Sequence, residues 1–239
     1  MAWAYVQSAT SVDGNGVTSV TVASPGSVTA GHRILVVVGS TVGSGTAVIN
    51  TPTDSQGNTY TQLLASPSGT ELGQVYSAVA VRTGANTVTC TAPAATGLQL
   101  GASTIEFSGL STAAGTGCLD VTATGSATGP TTPTGTTLAT HAANQLALAA
   151  YTDWGEAATL APPTGFTKDT NASRDAANYE GACVAYKSSA AGATEGGSFT
   201  GSNNGQQSGM VLVVKLAGIS SLRFQSRPML QAVNRSSVI

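Results

Sequence analysis

The sequence is nearly without charge: only 8% of its residues are Asp, Glu, Lys or Arg, against roughly 25% in an ordinary soluble protein. Nucleic-acid grooves need clustered Lys and Arg to neutralise phosphates. Nine basic residues in 239 do not supply such a groove, so neither a nucleic-acid partner nor a basic membrane-surface patch is expected. Aromatic residues are also scarce at 5%, which leaves few stacking platforms for sugars or bases. Histidine occurs only as His32 and His141. Neither has a carboxylate or thiolate partner close by in sequence, so no metal site is expected and both read as surface residues. Cys90, Cys118 and Cys183 form an odd set without CxxC spacing, which fits buried free thiols made in a reducing compartment. The longest apolar run, residues 34–38, is far too short to cross a bilayer. Residues 1–7 show no basic leader followed by an apolar stretch, so no cleaved signal peptide is expected.

The motifs of catalysis are missing as well. No GxSxG, HExxH, phosphate-binding loop or dinucleotide fingerprint stands in a usable context. A carboxylate pair for glycoside hydrolysis would have to come from Glu106 with Asp153 or Glu156, with nothing further to single them out. The chain is therefore expected to be non-enzymatic and to carry no cofactor.

What is present is Gly, Ser, Thr and β-branched residues in strand-length alternation. Strands are predicted near residues 3–8, 17–23, 34–40, 59–64, 74–82, 87–91 and 104–107. A second series is predicted near 119–123, 146–151, 165–169, 181–187, 198–201 and 210–216. Asp13-Gly14-Asn15-Gly16 predicts a tight hairpin, and Gly57-Asn58 and residues 83–86 supply further turns. No segment carries a capped helical period. The chain also repeats itself in order: residues 31–38 return as 143–150, 54–61 as 162–169, 78–85 as 182–189 and 102–109 as 210–218. The offsets are about 110 residues, the size of a small β-domain rather than of a solenoid repeat.

These patterns predict an all-β protein: an antiparallel β-sandwich or jelly-roll-like body with an internal pseudo-repeat, plus an extended C-terminal arm. The body spans 1–218, with halves at about 17–123 and 136–218 joined by a Gly/Pro/Thr-rich linker at 124–135. The halves form either two small sandwiches or, as preferred here, one double-sheet body.

Residues 219–239 break the pattern, with three Arg, no acid and several bulky apolar side chains. Such an arm can order on a partner, with Arg forks meeting carboxylates and apolar knobs filling pockets. The candidate partner-binding residues are Arg223, Phe224, Arg227, Met229, Leu230 and Arg235. A glycan site would draw on Trp154 as a platform with Asp153 and Glu156 at its sides. Tyr60 with Asn58, or Tyr179 with Asn178, would offer smaller versions. Asp54-Ser55-Gln56-Gly57-Asn58 has too few acids for a dedicated Ca²⁺ loop and reads as a turn entering a strand.

One order of motifs carries a resemblance. Residues 30–37, then Thr53-Asp54-Ser55-Gln56-Gly57-Asn58-Thr59-Tyr60, Thr83-Gly84-Ala85-Asn86-Thr87-Val88-Thr89, Glu106-Phe107-Ser108-Gly109-Leu110 and Cys118-Leu119-Asp120-Val121-Thr122 follow one another. Together they resemble β-sandwich domains of bacteriophage virion proteins and of some bacterial surface adhesive proteins. The likeness covers about residues 17–218, and the Asp-Ser-x-Gly-Asn-x-Tyr element is its most specific piece. It implies a structural, decorating or adhesive role with no catalytic residues to carry over. The expectation is a capsid decoration (cement) protein of a phage virion, made in the host cytoplasm and anchored by its arm to the major capsid protein or another virion protein. Self-association, as a trimer, is expected with it. The alternative is a receptor- or carbohydrate-binding module on a virion or cell surface, with a host glycan as partner.

Overall fold

The computed structural model describes residues 2–128, 134–137, 141–154, 160–174, 180–200 and 206–218. The first half contributes strands β1 (Ala4–Asn15), β2 (Ser19–Ala23), β3 (Arg33–Thr41), β4 (Thr53–Asp54), β5 (Thr61–Ser68), β6 (Glu71–Val79), β7 (Thr87–Thr91) and β8 (Gln99–Ser108). A 3-10 turn, Gly115–Cys118, precedes the second half. That half contributes β9 (Leu119–Thr128), β10 (Thr134–Thr136), β11 (Leu146–Trp154), β12 (Thr167–Lys168), β13 (Glu180–Ser188), β14 (Gly196–Ser198) and β15 (Gln206–Val214).

The repeat seen in the sequence is a repeat of topology. The first half forms an antiparallel sheet in the order β1-β8-β3-β6-β5, and the second half one in the order β9-β15-β11-β13-β12. Strand for strand these are the same order; the matched segments 31–38 and 143–150 fall on β3 and β11, and 102–109 and 210–218 on β8 and β15, whereas 78–85 leaves β6 at Val79 while 182–189 runs along β13. A smaller sheet, β2-β7-β4, belongs to the first half, and the pair β10-β14 to the second.

The two five-stranded sheets pack face to face. β3 lies across β11 and β13, β6 across β11 and β15, and β8 across β13. Since β6 corresponds to β13 and β8 to β15, the β6–β15 and β8–β13 contacts are one contact with the halves exchanged. This part of the seam is related by an approximate two-fold, whereas β5 also lies against β9 and β15 without a contact of like extent from β12. Each half carries further structure on its outer face.

Strand burial follows from this layering. β3 is buried along its whole length because both its faces are covered. Leu35 and Val37 face the core between the large sheets with Val75, Ile105, Leu148, Val184 and Leu212. Ile34, Val36 and Val38 face the opposite way, into the core beneath β2-β7-β4 with Val20, Val22 and Val88. A third core on the outer face of the second large sheet gathers Tyr151, Leu160, Phe166 and Phe199. Strands covered on both faces lose the period-two polar alternation and become continuous apolar runs.

The seam between the large sheets also carries polar bonds. Glu71, 1% exposed, accepts Thr152 Oγ1 from the facing sheet at 2.7 Å and Thr41 Oγ1 from its own. Ser208 Oγ donates to the Ser66 carbonyl at 2.6 Å, and Ser66 Oγ to that of Gly125 at 3.0 Å. Ser103 Oγ donates to the Ala172 carbonyl at 2.7 Å, and Ser8 Oγ to Asp169 Oδ1 at 2.8 Å. Trp3, Tyr5, Phe107 and Tyr186 close one corner, with Tyr5 stacked on Tyr186 at 5.4 Å and Trp3 edge-on to Phe107 at 5.7 Å.

Two expectations about connections are corrected. Asp13-Gly14-Asn15-Gly16 is not a hairpin: β1 continues through Asn15, which pairs with Gln99 of β8. The chain then leaves for the smaller sheet at Gly16, whose φ is 69°. A β1–β2 hairpin would have placed both strands in one sheet, and burying Val20 and Val22 on a second layer requires the crossing instead. The linker expected at 124–135 is a strand up to Thr128, paired with β15 from Thr124↔Met210 to Thr128↔Gln206. Thr122, Thr124 and Ser126 are exposed there, which is why an edge strand can share the composition of a linker. The tight hairpin lies at Gly69-Thr70 between β5 and β6, where Gly69 takes φ 62°.

At Gly73 of β6 the facing sheet leaves no room for a side chain. A Cβ there would stand 2.8 Å from Thr152 Oγ1, 2.9 Å from Met210 Cε and 3.1 Å from Ser208 Cβ. Gly73→Val will therefore force the sheets apart and lower the unfolding free energy by about 1–3 kcal/mol, the usual cost of overpacking, as measured by denaturant titration. An unchanged midpoint would show that the sheets do not meet at this residue.

Candidate binding groove

Arg33 opens β3 in register with Leu35 and Val37, so alternation directs its side chain to the inner face of the first large sheet. It is 3% exposed and is the only Lys or Arg in the buried class among the described residues. Its Nε and Nη2 both donate to the Ser111 carbonyl, the former at 2.8 Å, and Nη2 also donates to that of Ala113 at 3.0 Å. Nη1 donates to Ser77 Oγ at 2.6 Å. These bonds clamp the 111–114 segment over the end of the sheet. The same segment is tied to the second half through Ser111 N on the Lys215 carbonyl at 2.8 Å, and Gly109 just before it accepts Ala217 N at 2.9 Å.

The guanidinium has five N–H groups, and these contacts use four. Among the described residues no carboxylate lies within ion-pair distance of it. Burial pulls its pKa below the ordinary arginine value, although a guanidinium keeps its proton in proteins. The neighbouring Cys118 thiol is pushed up by burial. Arg33 and Ser77 floor a groove of about 220 Å³, with Thr59, Thr61, Thr112 and Val81 among its walls. The three threonines are exposed, and Val81 is 62% exposed. A buried cation at the base of a hydroxyl-lined depression can bind an anionic, hydroxyl-rich group.

The acids of the body serve as internal hubs. Asp54 accepts the backbone N–H groups of Gln56 and Asn58 at 3.1 and 3.0 Å on Oδ1. On Oδ2 it accepts Asn58 Nδ2 at 2.6 Å, Tyr60 OH at 2.8 Å and Asn86 Nδ2 at 3.0 Å. The carboxylate is thus enclosed by donors. Burial acts to raise its pKa, but the bonds from Asn58, Tyr60 and Asn86 prevail and hold it below the usual carboxylate range. Tyr60, 5% exposed, has its hydroxyl pKa raised by burial and by the Asp54 charge. The Asp-Ser-x-Gly-Asn-x-Tyr element is therefore a locked turn that pins β4 to the start of β5. It is neither a cation loop nor a sugar platform at Tyr60.

His141 departs from the surface placement expected of it, and half-buried His32 has a carboxylate partner that its sequence neighbours do not supply. His32 Nδ1 meets Glu106 Oε1 at 2.7 Å. Glu106 is 2% exposed and also accepts Thr29 N at 2.9 Å and Gln7 Nε2 at 2.6 Å, which makes it a bracing residue rather than an open acid. His141 is buried, 4% exposed, with Nε2 3.5 Å from Glu195 Oε1. Glu195 Oε2 lies 2.6 Å from Lys187 Nζ, and that amine sits 4.7 Å over the Phe166 ring. In each case the carboxylate comes from a strand or loop more than 50 residues away, beyond the reach of local sequence patterns.

Asp153, expected beside a surface platform, is 0% exposed and accepts Tyr151 OH at 3.1 Å. It shares a strand face with Tyr151, which points into the outer core, so it offers no oxygen to a ligand on the surface. Trp154 ends β11 opposite Glu180. Glu156, Asn178 and Tyr179 lie outside the described residues, as do Arg223, Phe224, Arg227, Met229, Leu230 and Arg235. Cys90, Cys118 and Cys183 are all buried. Among the described residues no three His, Cys, Asp or Glu side chains are grouped to hold a metal ion. Arg33 itself was missed, though the signal was there: a charge in inner-face register at the head of the longest apolar run. Comparison of the chain with protein-family models, curated proteins and solved structures finds no match.

Two predictions follow from these hubs. Because the folded-state pKa of Asp54 is depressed, its stabilising effect is complete above the unfolded value, about 3.9. It is lost as pH falls through the lower folded value. The stability difference between the protein and Asp54→Asn will hold constant near neutrality and shrink in acid below about pH 4; a difference independent of pH would contradict the hub. Glu195→Gln leaves the Lys187 amine and His141 without their anion. It will cost about 3 kcal/mol, at the lower end for a broken buried pair because Lys187 is partly solvated, read by denaturant unfolding.

Proposed function

We propose that the chain is a non-enzymatic structural component of a bacteriophage virion, a decoration (cement) protein held on the capsid by residues 219–239. The observation that carries this reading is the division of charge. Three of the nine basic residues and none of the eleven acids follow residue 218, so the body carries −5 and the arm +3. Within the body, Glu71, Glu106, Asp153, Asp169 and Glu195 are all at most 5% exposed. Much of its negative charge therefore braces the interior, and its outer faces carry hydroxyls such as those of Ser19, Thr21 and Thr53 on the β2-β7-β4 sheet.

Faces of that kind suit copies packed side by side, where like charges would oppose assembly. The arm suits a different contact. Arg223, Arg227 and Arg235 can fork onto carboxylates, and Phe224, Met229 and Leu230 can fill pockets of a capsid or other virion protein. A protein made in the host cytoplasm and carried on the particle can keep its three thiols reduced and buried. Self-association of the bodies, as a trimer, accompanies this reading.

Removing residues 219–239 will abolish incorporation into particles and leave the β-body folded, as judged by circular dichroism of the truncated protein and by its copy number on purified particles. Normal occupancy by the truncated protein would overturn the reading.

A further inference from the structure

We propose that the Arg33 groove binds a carboxylated hexose, one uronic-acid unit of an acidic glycan. The charge of the site points to an anion. Arg33 is 3% exposed and no described residue supplies its counter-charge, whereas buried charges elsewhere in proteins are paired. Its acceptors here are neutral: two backbone carbonyls and one hydroxyl. The N–H left over belongs to Nη1, whose bonded partner Ser77 lines the groove together with Arg33. A carboxylate entering the groove can take that donor in a charge-assisted hydrogen bond.

The walls point to a sugar. Thr59, Thr61, Thr112 and Ser77 line the groove together with Arg33, and the hydroxyl each carries can both donate and accept, as the hydroxyls of a hexose require. Val81, 62% exposed at the rim, offers an apolar patch for the C–H face of a ring. The volume of about 220 Å³ lies below the ~300–1,000 Å³ of drug-sized pockets, which fits a single ring. An acidic side chain of a protein partner would share the carboxylate, but it would leave the ring of hydroxyls unused. The inference does not rest on the virion reading, because glucuronate binding and incorporation through the arm are measured separately.

The test is titration of the full chain with glucuronate, glucose, acetate and an Asp/Glu-containing peptide, followed by amide NMR shifts. Glucuronate is expected to bind saturably, with shifts at Ser77, Thr112 and Ala113, and at least about tenfold more tightly than the other three. Arg33→Gln removes the cation but also the clamp on residues 111–114. Ala114→Trp at the exposed rim keeps the clamp and fills the groove, and it is expected to weaken glucuronate binding at least about tenfold with an unchanged melting temperature. No glucuronate binding, equal binding of acetate, glucose or the peptide, or undiminished binding in folded Ala114→Trp would each overturn the assignment.

Discussion

Everything in this body depends on the close approach of its two large sheets. Gly73 marks how tight the contact is, since a single Cβ would collide with three atoms of the facing sheet. Glu71 marks what the contact must satisfy, a buried carboxylate held by one hydroxyl from each sheet. A buried carboxylate is tolerated only where such donors are fixed, so Glu71 makes the register of one sheet on the other specific. The surrounding apolar core supplies the drive, and polar atoms decide the alignment.

From that interface the rest follows outward. Two halves of equivalent strand order meet about an approximate two-fold, so each large sheet has one face against its counterpart and another left to cover. The first half covers it with β2-β7-β4, held in place by the Asp54 turn. The second covers its own with Leu160, Phe166 and Phe199, braced by Glu195, His141 and Lys187. Carboxylates thus recur wherever one layer or segment must be fixed on another. A chain with so few charges places many of them where they organise the interior. Arg33 is the exception: it braces the 111–114 segment as the acids brace theirs, yet among the described residues it has no opposite charge, and it lies beneath an open groove.

The sequence made some of this legible and hid the rest for physical reasons. β7 was readable in full because Thr and Val alternate over a half-exposed strand. The repeat was readable because buried strands such as β3 and β11 keep their apolar runs. β8 was read only at its apolar end, because Gly101 and Ala102 interrupt the run with side chains too small to signal a strand. In the edge strand β9, residues 119–123 read as a strand, whereas 124–128 share the Thr and Gly content of a linker. The hubs were invisible: Glu71 and Thr152 are 81 residues apart, Ser8 and Asp169 are 161 apart, and only the topology joins them. Arg33 could have been found from strand alternation, whereas its missing counter-ion could not.

The most direct test of the account is whether the two halves behave as one body. Native-state hydrogen exchange, followed peptide by peptide in rising denaturant, reads the opening free energy of β3 and of its counterpart β11. If the face-to-face seam holds the molecule together, both strands will exchange through the same global opening, with equal free energies and equal denaturant slopes. Full exchange of one large sheet while the other stays protected would mean that each half stands alone, and would contradict the account.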